Sequence, residues 1–347
     1  MVKEHRDIPI SLDRLREWMD GQGLGSGPLT DCVSLTGGTQ NILLSLARDG
    51  ETFVFRSPPA HPTANGNDTM RKEMRVLEAL ANSDVPHPRL IAGCPGEDVL
   101  GSAFYLMEPV DGFNATVSLP PLHAADAQLR RQMGFALIDG VLALSRVDFR
   151  AVGLAGLGKP EGFLERQVPR WLLQLEGYGQ HIGWPGPSGL PHLDAIARWL
   201  ETNRPNGAAP GIMHGDYHLA NVMFRHDGPN LAAIVDWELA TVGDPLLDLA
   251  WILAGWPGPD AAMRAMVTPW EGFPSADELI DHYRAGSDRD LSAIGWYRVL
   301  ACFKLGILLE GTYARACAGK ANAATGDMLH ATALQLFERA GRLAAGA

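Results

Sequence analysis

Short apolar runs separated by turn residues dominate the first third of the chain. Five runs are typical of β-strands: residues 32–35, 42–47, 52–56, 89–92 and 103–107. The dipeptide Asp49-Gly50 stands between the second and third runs, and Asp-Gly between β-rich segments indicates a hairpin. The pattern predicts a small five-stranded antiparallel sheet over roughly residues 30–108.

Helical spacing interrupts this β-rich region at two places. Residues 11–19 have apolar positions at helical intervals, and residues 68–80 repeat the pattern through Met70, Met74 and Leu77. The second stretch ends before Pro86, which cannot continue a helix. We therefore expect one helix before the sheet and one helix inserted within it.

The remaining chain is mainly helical in pattern. Helices are predicted over residues 123–147, 161–176, 192–203, 275–286, 290–317 and 325–342. Only residues 212–237 look like short strands and loops. The sequence thus predicts an α+β fold with a small antiparallel β N-lobe and a larger, mainly helical C-lobe. The predicted divisions are an N-terminal helix and loop at 1–29, a nucleotide-binding N-lobe at 30–108, and a catalytic and acceptor-binding C-lobe at 109–347.

Composition narrows the possible partners. The formal net charge is −11, and Lys and Arg form no cluster, so nucleic acid is not an expected partner. Four widely spaced cysteines without a C-x-x-C pair favour free thiols in a reducing compartment. No h-region of a signal peptide is visible, and no apolar run approaches the roughly 20 residues of a membrane span. We expect a cytoplasmic protein with no membrane partner, and the sequence leaves its oligomeric state open.

A dense group of polar residues lies in the 212–237 region. The string Met213-His-Gly-Asp-Tyr-His-Leu-Ala-Asn-Val222 places Asp216 and Asn221 five residues apart, and Asp236 ends the next predicted strand. Phosphoryl transfer needs one residue to orient and deprotonate an acceptor hydroxyl, and oxygen ligands that hold Mg²⁺ against phosphates. Asp216 suits the first task, and Asn221 with Asp236 suits the second, because Mg²⁺ prefers hard oxygen ligands.

The order of these motifs carries a family resemblance. His-Gly-Asp-x-x-x-x-Asn, then Ile-Val-Asp-Trp, then Gly-Asp-x-x-x-Asp-Leu-Ala resembles the aminoglycoside phosphotransferase and choline kinase superfamily, the small-molecule relatives of protein kinases. The resemblance implies a protein-kinase-like fold, ATP and Mg²⁺ as cofactors, and a small-molecule hydroxyl as acceptor. Asp216 would be the catalytic residue, and Asn221 and Asp236 would be the metal ligands.

The N-terminal region agrees with this family. Arg56 ends the third strand, where such kinases place a basic residue against the nucleotide phosphates, and Glu73 on the following helix could pair with it. The other residues expected to bind nucleotide are Gly37, Gly38, Thr39 and Asn41 of a glycine-containing loop, and Met107, Glu108 and Val110 of an adenine-binding hinge.

Some residues depart from the family pattern. Arg56 replaces the lysine common in protein kinases, and an arginine binds phosphate as a fork instead of a point charge. His218 stands near the place where the nearest branch of the family often carries Arg, and the glycine loop is short. Three alternatives to an antibiotic kinase stay open: a choline, ethanolamine or sugar kinase, a nucleotide-binding pseudokinase, and a protein kinase. The last is disfavoured because Trp237 stands where Phe of D-F-G would be.

Several nearby residues are expected to support the site. His214 is predicted to hydrogen-bond the catalytic loop, Asp244 to start a helix before Pro245, and Asp248 to accept N–H groups of the catalytic loop. The tryptophans, Trp171 and Trp251 among them, are expected to be core residues. Acidic residues of the C-terminal part such as Glu238 would suit a cationic acceptor, although most are expected on the solvated surface.

Overall fold

The structure is a computed structural model that describes residues 8–35, 41–59, 65–206, 209–258, 262–263 and 265–346. Helix α1 covers Leu12–Gly21. The five strands that follow are β1 Thr30–Ser34, β2 Ile42–Arg48, β3 Glu51–Ser57, β4 Leu90–Cys94 and β5 Phe104–Met107, and helix α2 Gly66–Leu80 lies between β3 and β4. The predicted strands and the inserted helix are therefore present.

The five strands form one antiparallel sheet in the order β1-β2-β3-β5-β4. The β2–β3 hairpin closes at the Arg48–Glu51 pair, and its turn residues Asp49 and Gly50 have φ values of 52° and 82°. Tight hairpin turns need positive φ at both central residues, which Asp and Gly tolerate. The turn dipeptide thus sets the register of the β2–β3 pair.

Alternation along the strands separates the two faces of the sheet. On one face Leu44, Leu46 and Phe55 are buried together with Leu15 and Met19 of α1. The opposite face carries Tyr105, which is buried in the same apolar cluster as Met70 and Leu77 of α2. Helix α2 therefore covers the face of the sheet from which Arg56 and Tyr105 meet Glu73.

The rest of the chain is mostly helical, and its described residues include four short strands. The helices are α3 Pro121–Ala125, α4 Ala127–Arg146, α5 Gln167–Gly177, α6 Leu193–Thr202, α7 Leu246–Gly255, α8 Ala276–Gly286, α9 Ile294–Cys317 and α10 Ala323–Ala345. Strands β6 Gly211–Met213 and β9 Thr241–Gly243 pair antiparallel, as do β7 Val222–Phe224 and β8 Leu231–Ile234. The predicted α+β class is confirmed.

Two predicted helix boundaries are wrong. The helix expected over residues 123–147 is divided at Asp126, whose extended backbone ends α3 and whose carboxylate caps α4 by accepting N–H groups of Gln128 and Leu129. The helix expected over 161–176 begins only at Gln167, because turns that include Gly162 at φ 63° precede it. Capping by Asp and positive φ at Gly both oppose continuous helix.

The joint between the two parts follows β5. The sheet ends at Met107 and α3 begins at Pro121, so the division of the chain at residues 108 and 109 stays a prediction. Within the described ranges, no helix combines the length and the apolar character that crossing a membrane would require.

Candidate active site

The segment that follows β6 makes a sharp turn at Gly215. Its φ is 85°, and a Cβ atom added there would lie 2.5 Å from the carbonyl oxygen of Leu239. An L side chain would therefore be both strained and blocked. Glycine at this position lets the chain turn so that Asp216 follows directly on a buried strand.

Asp248, in the first turn of α7, anchors this turn. Its buried carboxylate accepts the N–H of His214 at 2.7 Å and that of Gly215 at 2.9 Å. Burial raises the pKa of Asp248 to about 6, against the lowering effect of these two hydrogen bonds. The contact that the sequence suggested for Asp248 is present.

Asp216 is held through both carboxylate oxygens. The indole N–H of Trp251 donates to Oδ1 at 2.9 Å, and the amide of Asn221 donates to Oδ2 at 3.0 Å. Nε2 of His218 lies 3.3 Å from Oδ1. Burial acts to raise the pKa of Asp216, but hydrogen bonds from His218 and Trp251 outweigh it and hold this pKa below its ordinary value. Asp216 is therefore a carboxylate at neutral pH.

His214 is a buried supporting residue. Its Nε2 lies 2.9 Å from the carbonyl oxygen of Val235, and its Nδ1 accepts the N–H of Asp216 at 3.3 Å. Burial lowers the pKa of His214 to about 4, so the ring is neutral at pH 7. These contacts agree with the structural role predicted for His214.

The β7–β8 hairpin brings Asn221 and Asp236 together. Val222 pairs with Ile234, and the N–H of Val235 donates to the carbonyl oxygen of Asn221 at 2.9 Å. Asp236 follows at φ 68°, a left-handed conformation that Asp tolerates better than most residues. Because the Asn221 amide nitrogen faces Asp216, its carbonyl oxygen Oδ1 is the atom that could bind a metal.

Arg56 connects the sheet to this hairpin. Its guanidinium lies 3.0 Å from Glu73 and 2.6 Å from Asp236, while the Tyr105 hydroxyl donates to Glu73 at 2.6 Å. Burial acts to lower the pKa of Arg56, but the carboxylates outweigh it and raise this pKa above its ordinary value. Burial also raises the pKa of Glu73, against the effect of Arg56. The predicted Arg56–Glu73 ion pair is present.

An acidic cluster lies beside Arg56. Carboxylate oxygens of Glu73, Asp236 and Glu238 come within 4.8 Å of one another. The Glu238 carboxylate also lies 3.5 Å from the side-chain amide nitrogen of Asn41. The Lys72 ammonium donates to the main-chain carbonyl oxygen of Glu238. Glu238 therefore contacts the N-terminal part of the chain, and the expectation that it suits a cationic acceptor stays a prediction. Hard oxygen donors in this number fit Mg²⁺.

The other residues predicted to bind nucleotide belong to the hinge after β5 and to the glycine-containing loop. Met107 is the last residue of the internal strand β5 and pairs with Val54 of β3 and Leu90 of β4. The N–H of Glu108 donates to the carbonyl oxygen of Arg89 at 2.9 Å. Val110 is half-buried two residues further on. Gly37, Gly38 and Thr39 lie outside the described residues. The roles of these residues in binding nucleotide stay predictions.

Trp251 and Lys304 contact the site in ways that the sequence did not reveal. Trp251 is a core residue as expected, but its indole also reaches Asp216. The Lys304 ammonium donates to the carbonyl oxygen of Gly215 at 3.0 Å. Helical spacing could have placed Trp251 on the same face of α7 as Asp248, since residues three apart are neighbours on a helix. No local pattern marks Lys304.

Asp244 supports the start of α7. Its Oδ1 accepts the N–H of Leu246 at 3.0 Å, and its Oδ2 accepts the Tyr297 hydroxyl at 2.6 Å. Burial raises the pKa of Asp244 against these hydrogen bonds. The predicted helix-starting role of Asp244 agrees with these contacts.

The sequence is similar to a protein family and to several curated proteins. A family model described as "Phosphotransferase enzyme family" matches residues 32–279. Acyl-CoA dehydrogenase family member 11 of Gallus gallus is 29% identical over 296 residues, which cover 82% of this chain and 37% of that protein. This chain therefore spans well under half the length of that relative.

Solved structures share the fold. A "putative aminoglycoside phosphotransferase" of Ralstonia eutropha superimposes with a TM-score of 0.80 at 27% identity, over 96% of this chain and 99% of that one. A thermostable mutant of aminoglycoside phosphotransferase APH(4)-Ia, in ternary complex with ADP and hygromycin B, gives 0.59 at 14% identity over 94% and 98%. Plasmodium vivax ethanolamine kinase gives 0.60 at 14% over 94% and 89%.

These matches agree with the motifs. The kinase-like α+β fold predicted from the sequence is confirmed by the solved structures, and the resemblance is confirmed by the family model. The matched region, 32–279, contains Arg56, Glu73, Asp216, Asn221 and Asp236. The chain belongs to the phosphotransferase enzyme family.

Proposed function

We propose that this protein transfers the γ-phosphate of ATP to a hydroxyl group of a small molecule, with Mg²⁺ as cofactor. The observation that carries the proposal is the 2.6 Å contact between Arg56 and Asp236. It joins a phosphate-binding cation to a metal-binding carboxylate, on the hairpin whose Asn221 contacts Asp216. Phosphoryl transfer requires these functions in one site.

The residues would divide the reaction as follows. Arg56, oriented by Glu73, would bind the phosphates of ATP, and Asn221 and Asp236 would hold Mg²⁺, with Glu238 close enough to contribute. The ion would neutralise charge on the phosphates. Asp216 would orient the acceptor hydroxyl and take its proton as the new oxygen–phosphorus bond forms and the bond to ADP breaks. Because Asp216 is ionised at neutral pH, it is ready to accept that proton.

The acceptor is a separate question. Solved structures of similar fold include proteins named for aminoglycosides and for ethanolamine, and a shared fold does not transfer their substrates. Relatives that match over most of this chain are instead named as acyl-CoA dehydrogenases, and the matching region is a minor part of their length. Linking two activities in one chain raises the effective concentration of a shared substrate. We therefore propose a hydroxyacyl-CoA thioester as the first acceptor to test.

The test is acceptor-dependent release of ADP from Mg²⁺-ATP. The panel contains hydroxyacyl-CoA thioesters with the hydroxyl at successive chain positions, the corresponding free hydroxy acids, aminoglycosides, macrolides, choline, ethanolamine and sugars. Asp216→Asn serves as the blank. Release with one acceptor class, absent in the variant, would support phosphotransfer and identify the acceptor.

Three other results would change this proposal. Release with aminoglycosides or choline and none with thioesters would replace the proposed acceptor and keep the proposed reaction. Binding of ATP without release for any acceptor would favour a nucleotide-binding pseudokinase. A protein without affinity for ATP would contradict the proposed function as a whole.

A further inference from the structure

One face of α7 contacts the loop that follows β6, at residues 214–216, in two places. Asp248 and Trp251 are three residues apart, so they lie on the same face of the helix. Asp248 accepts main-chain N–H groups of the loop, and the indole of Trp251 donates to the carboxylate of Asp216 at 2.9 Å. The first contact fixes the backbone and the second fixes the side chain that would accept the proton.

Lys304 of α9 lies next to the Trp251 ring, which donates to Asp216. Its side chain is 7% exposed, and its ammonium donates to the carbonyl oxygen of Gly215 at 3.0 Å. The ammonium lies 4.1 Å from the ring centroid of Trp251 and 5.5 Å from that of Trp171. A buried cation is costly unless it is compensated, and a carbonyl oxygen with two aromatic faces compensates it here.

We infer that Lys304 and Trp251 are positioning residues for Asp216 in the transfer step, an inference that rests on the proposed function. Lys304 fixes the Gly215 carbonyl and the plane of the Trp251 ring. The ring in turn directs its N–H at Oδ1 of Asp216. Asn221 donates to Oδ2 and His218 lies beside Oδ1, so groups on both oxygens restrict the orientation in which the carboxylate would meet an acceptor hydroxyl.

The geometry explains why a positioning pair would matter for rate. An acceptor hydroxyl must be held in line with the phosphate, and small displacements of the group that orients it cost large factors in rate. Without the indole N–H, Asp216 would keep its charge and its contacts with Asn221 and His218. It would lose one of the two groups that hold Oδ1, and its carboxylate could then rotate about its side-chain bonds. Binding of ATP would change little, because Arg56 and Asp236 do not contact Trp251 or Lys304 through any contact found in the described residues.

The same geometry predicts a pH dependence. The charged groups that act on Lys304 are Asp248 on α7, Asp216 in the loop and Arg170 on α5. Burial lowers the pKa of Lys304 to about 8, against the raising effect of the two carboxylates. Above that pH the neutral amine no longer interacts with the Trp251 ring as a cation. The turnover number of the wild-type protein should therefore fall above about pH 8.

The variants separate positioning from simple stability. Trp251→Phe removes the N–H and keeps an aromatic face for Lys304, and Lys304→Met removes the charge with little change in size. Trp256→Phe is the matched control, because Trp256 is also buried and donates its indole N–H at 2.9 Å, but to the carbonyl oxygen of Pro274. We expect turnover by Trp251→Phe to fall about 10- to 100-fold, the usual effect of losing a hydrogen bond to a charged group.

The kinetic results decide the inference when the wild-type protein is active. The expected outcome is a lower kcat for Trp251→Phe and Lys304→Met, a KM for ATP within about twofold of the wild type since binding does not use these contacts, and no alkaline fall for Lys304→Met. Trp256→Phe should keep its kcat. If all three variants share one kcat, or if the alkaline fall persists in Lys304→Met, the inference is overturned.

An NMR readout tests the contact without turnover. The chain has nine tryptophans and hence nine indole N–H signals, and the signal missing from Trp251→Phe belongs to Trp251. That signal should move in both Asp216→Asn and Lys304→Met, and it should stay in place in Trp256→Phe. An unmoved signal in Asp216→Asn overturns the inference. If the wild-type protein transfers no phosphate to any acceptor, the proposed function fails, and this spectrum still decides whether Lys304 holds the Trp251–Asp216 contact.

Discussion

The two sides of the site are built from different interactions. On the sheet side, Arg56 forms ion pairs with Glu73 and Asp236. On the helical side, one carboxylate, Asp216, receives neutral N–H donors from Trp251 and Asn221. Ion pairs therefore build the first side. On the second side, N–H donors and the His218 ring, 3.3 Å from Oδ1, orient a single carboxylate.

This difference matches two different tasks. Glu73 is 1% exposed and fixed by Tyr105, whereas Asp236 is 36% exposed. Arg56 could therefore keep Glu73 and exchange Asp236 for phosphate when nucleotide and metal bind. Asp216 makes hydrogen bonds that leave its charge in place and restrict its direction. An arginine that can exchange one carboxylate for phosphate suits nucleotide binding. A carboxylate with a fixed orientation suits the proposed transfer step.

The largest expected effect is on Asp216 itself. Asp216→Asn keeps the shape of the side chain and removes the base, so kcat should fall about 10²- to 10⁴-fold, the usual contribution of a general base. The KM for ATP should change little, because the ion pairs of Arg56 are intact. Steady-state kinetics with the preferred acceptor measures both values. If affinity for ATP falls as much as kcat does, the two sides are not separate.

The next effect is on nucleotide affinity. Asp236→Ala removes a proposed metal ligand, and ATP affinity in the presence of Mg²⁺ should fall about 100-fold, as expected for a lost interaction with a charged group. Calorimetry with and without Mg²⁺ measures it. Asp227→Ala is the control, since Asp227 is an exposed carboxylate in the turn of the same hairpin and pairs only locally with Arg225. Equal losses in both variants would contradict the metal assignment.

A smaller effect sharpens the assignment of Arg56. Arg56→Lys keeps the positive charge but cannot contact two carboxylates through a planar fork, so the KM for ATP should rise about tenfold with kcat nearly unchanged. Arg71→Lys is the matched control, because Arg71 also contacts two carboxylates, those of Asp68 and Glu97, at the surface of α2. A loss confined to kcat would place Arg56 in the transfer step instead.

The smallest effect concerns the helical side and is measured as stability. Burial lowers the pKa of Lys304 in the folded state to about 8, below its unfolded value of 10.5. The unfolded chain therefore binds more protons between these values, and the contribution of Lys304 to stability rises with pH. From pH 8 to 9.5 the wild type should gain about 1.5 kcal/mol relative to Lys304→Met. Urea unfolding of both proteins at the two pH values measures this, and parallel curves would contradict it.

The parts of the fold that neighbouring residues specify can be predicted from the sequence, and the parts that depend on packing cannot. The turn residues Asp49-Gly50 and the apolar residues of the flanking segments predict the β2–β3 hairpin, and the predicted strands agree with the observed ones almost to the residue. The division of the 123–147 helix at Asp126 was missed, because the apolar stripe continues across the break and only the backbone of Asp126 reveals the cap. The order of the sheet, with β5 between β3 and β4, depends on packing that no local pattern records.

The site shows the same division. Asp216 and Asn221 belong to one motif, which predicts that both come from one loop, and the structure adds a direct contact between their side chains. The Arg56–Glu73 pair was predicted from the family resemblance across 17 positions of sequence. Lys304 lies 89 residues from Gly215, and its helix is apolar enough that a single lysine resembles a surface position. Contacts of this kind arise from helix packing and could not be inferred from one sequence.

The central claim is direct transfer of the γ-phosphate to an acceptor hydroxyl at Asp216. The most direct test is to follow a γ-phosphate label from ATP in a single turnover with the preferred acceptor. The account predicts that the label appears on the acceptor in step with ADP, and that Asp216→Asn binds ATP but transfers the label about 10²- to 10⁴-fold more slowly. Label released as inorganic phosphate, left on the protein, or transferred equally well by Asp216→Asn would contradict it.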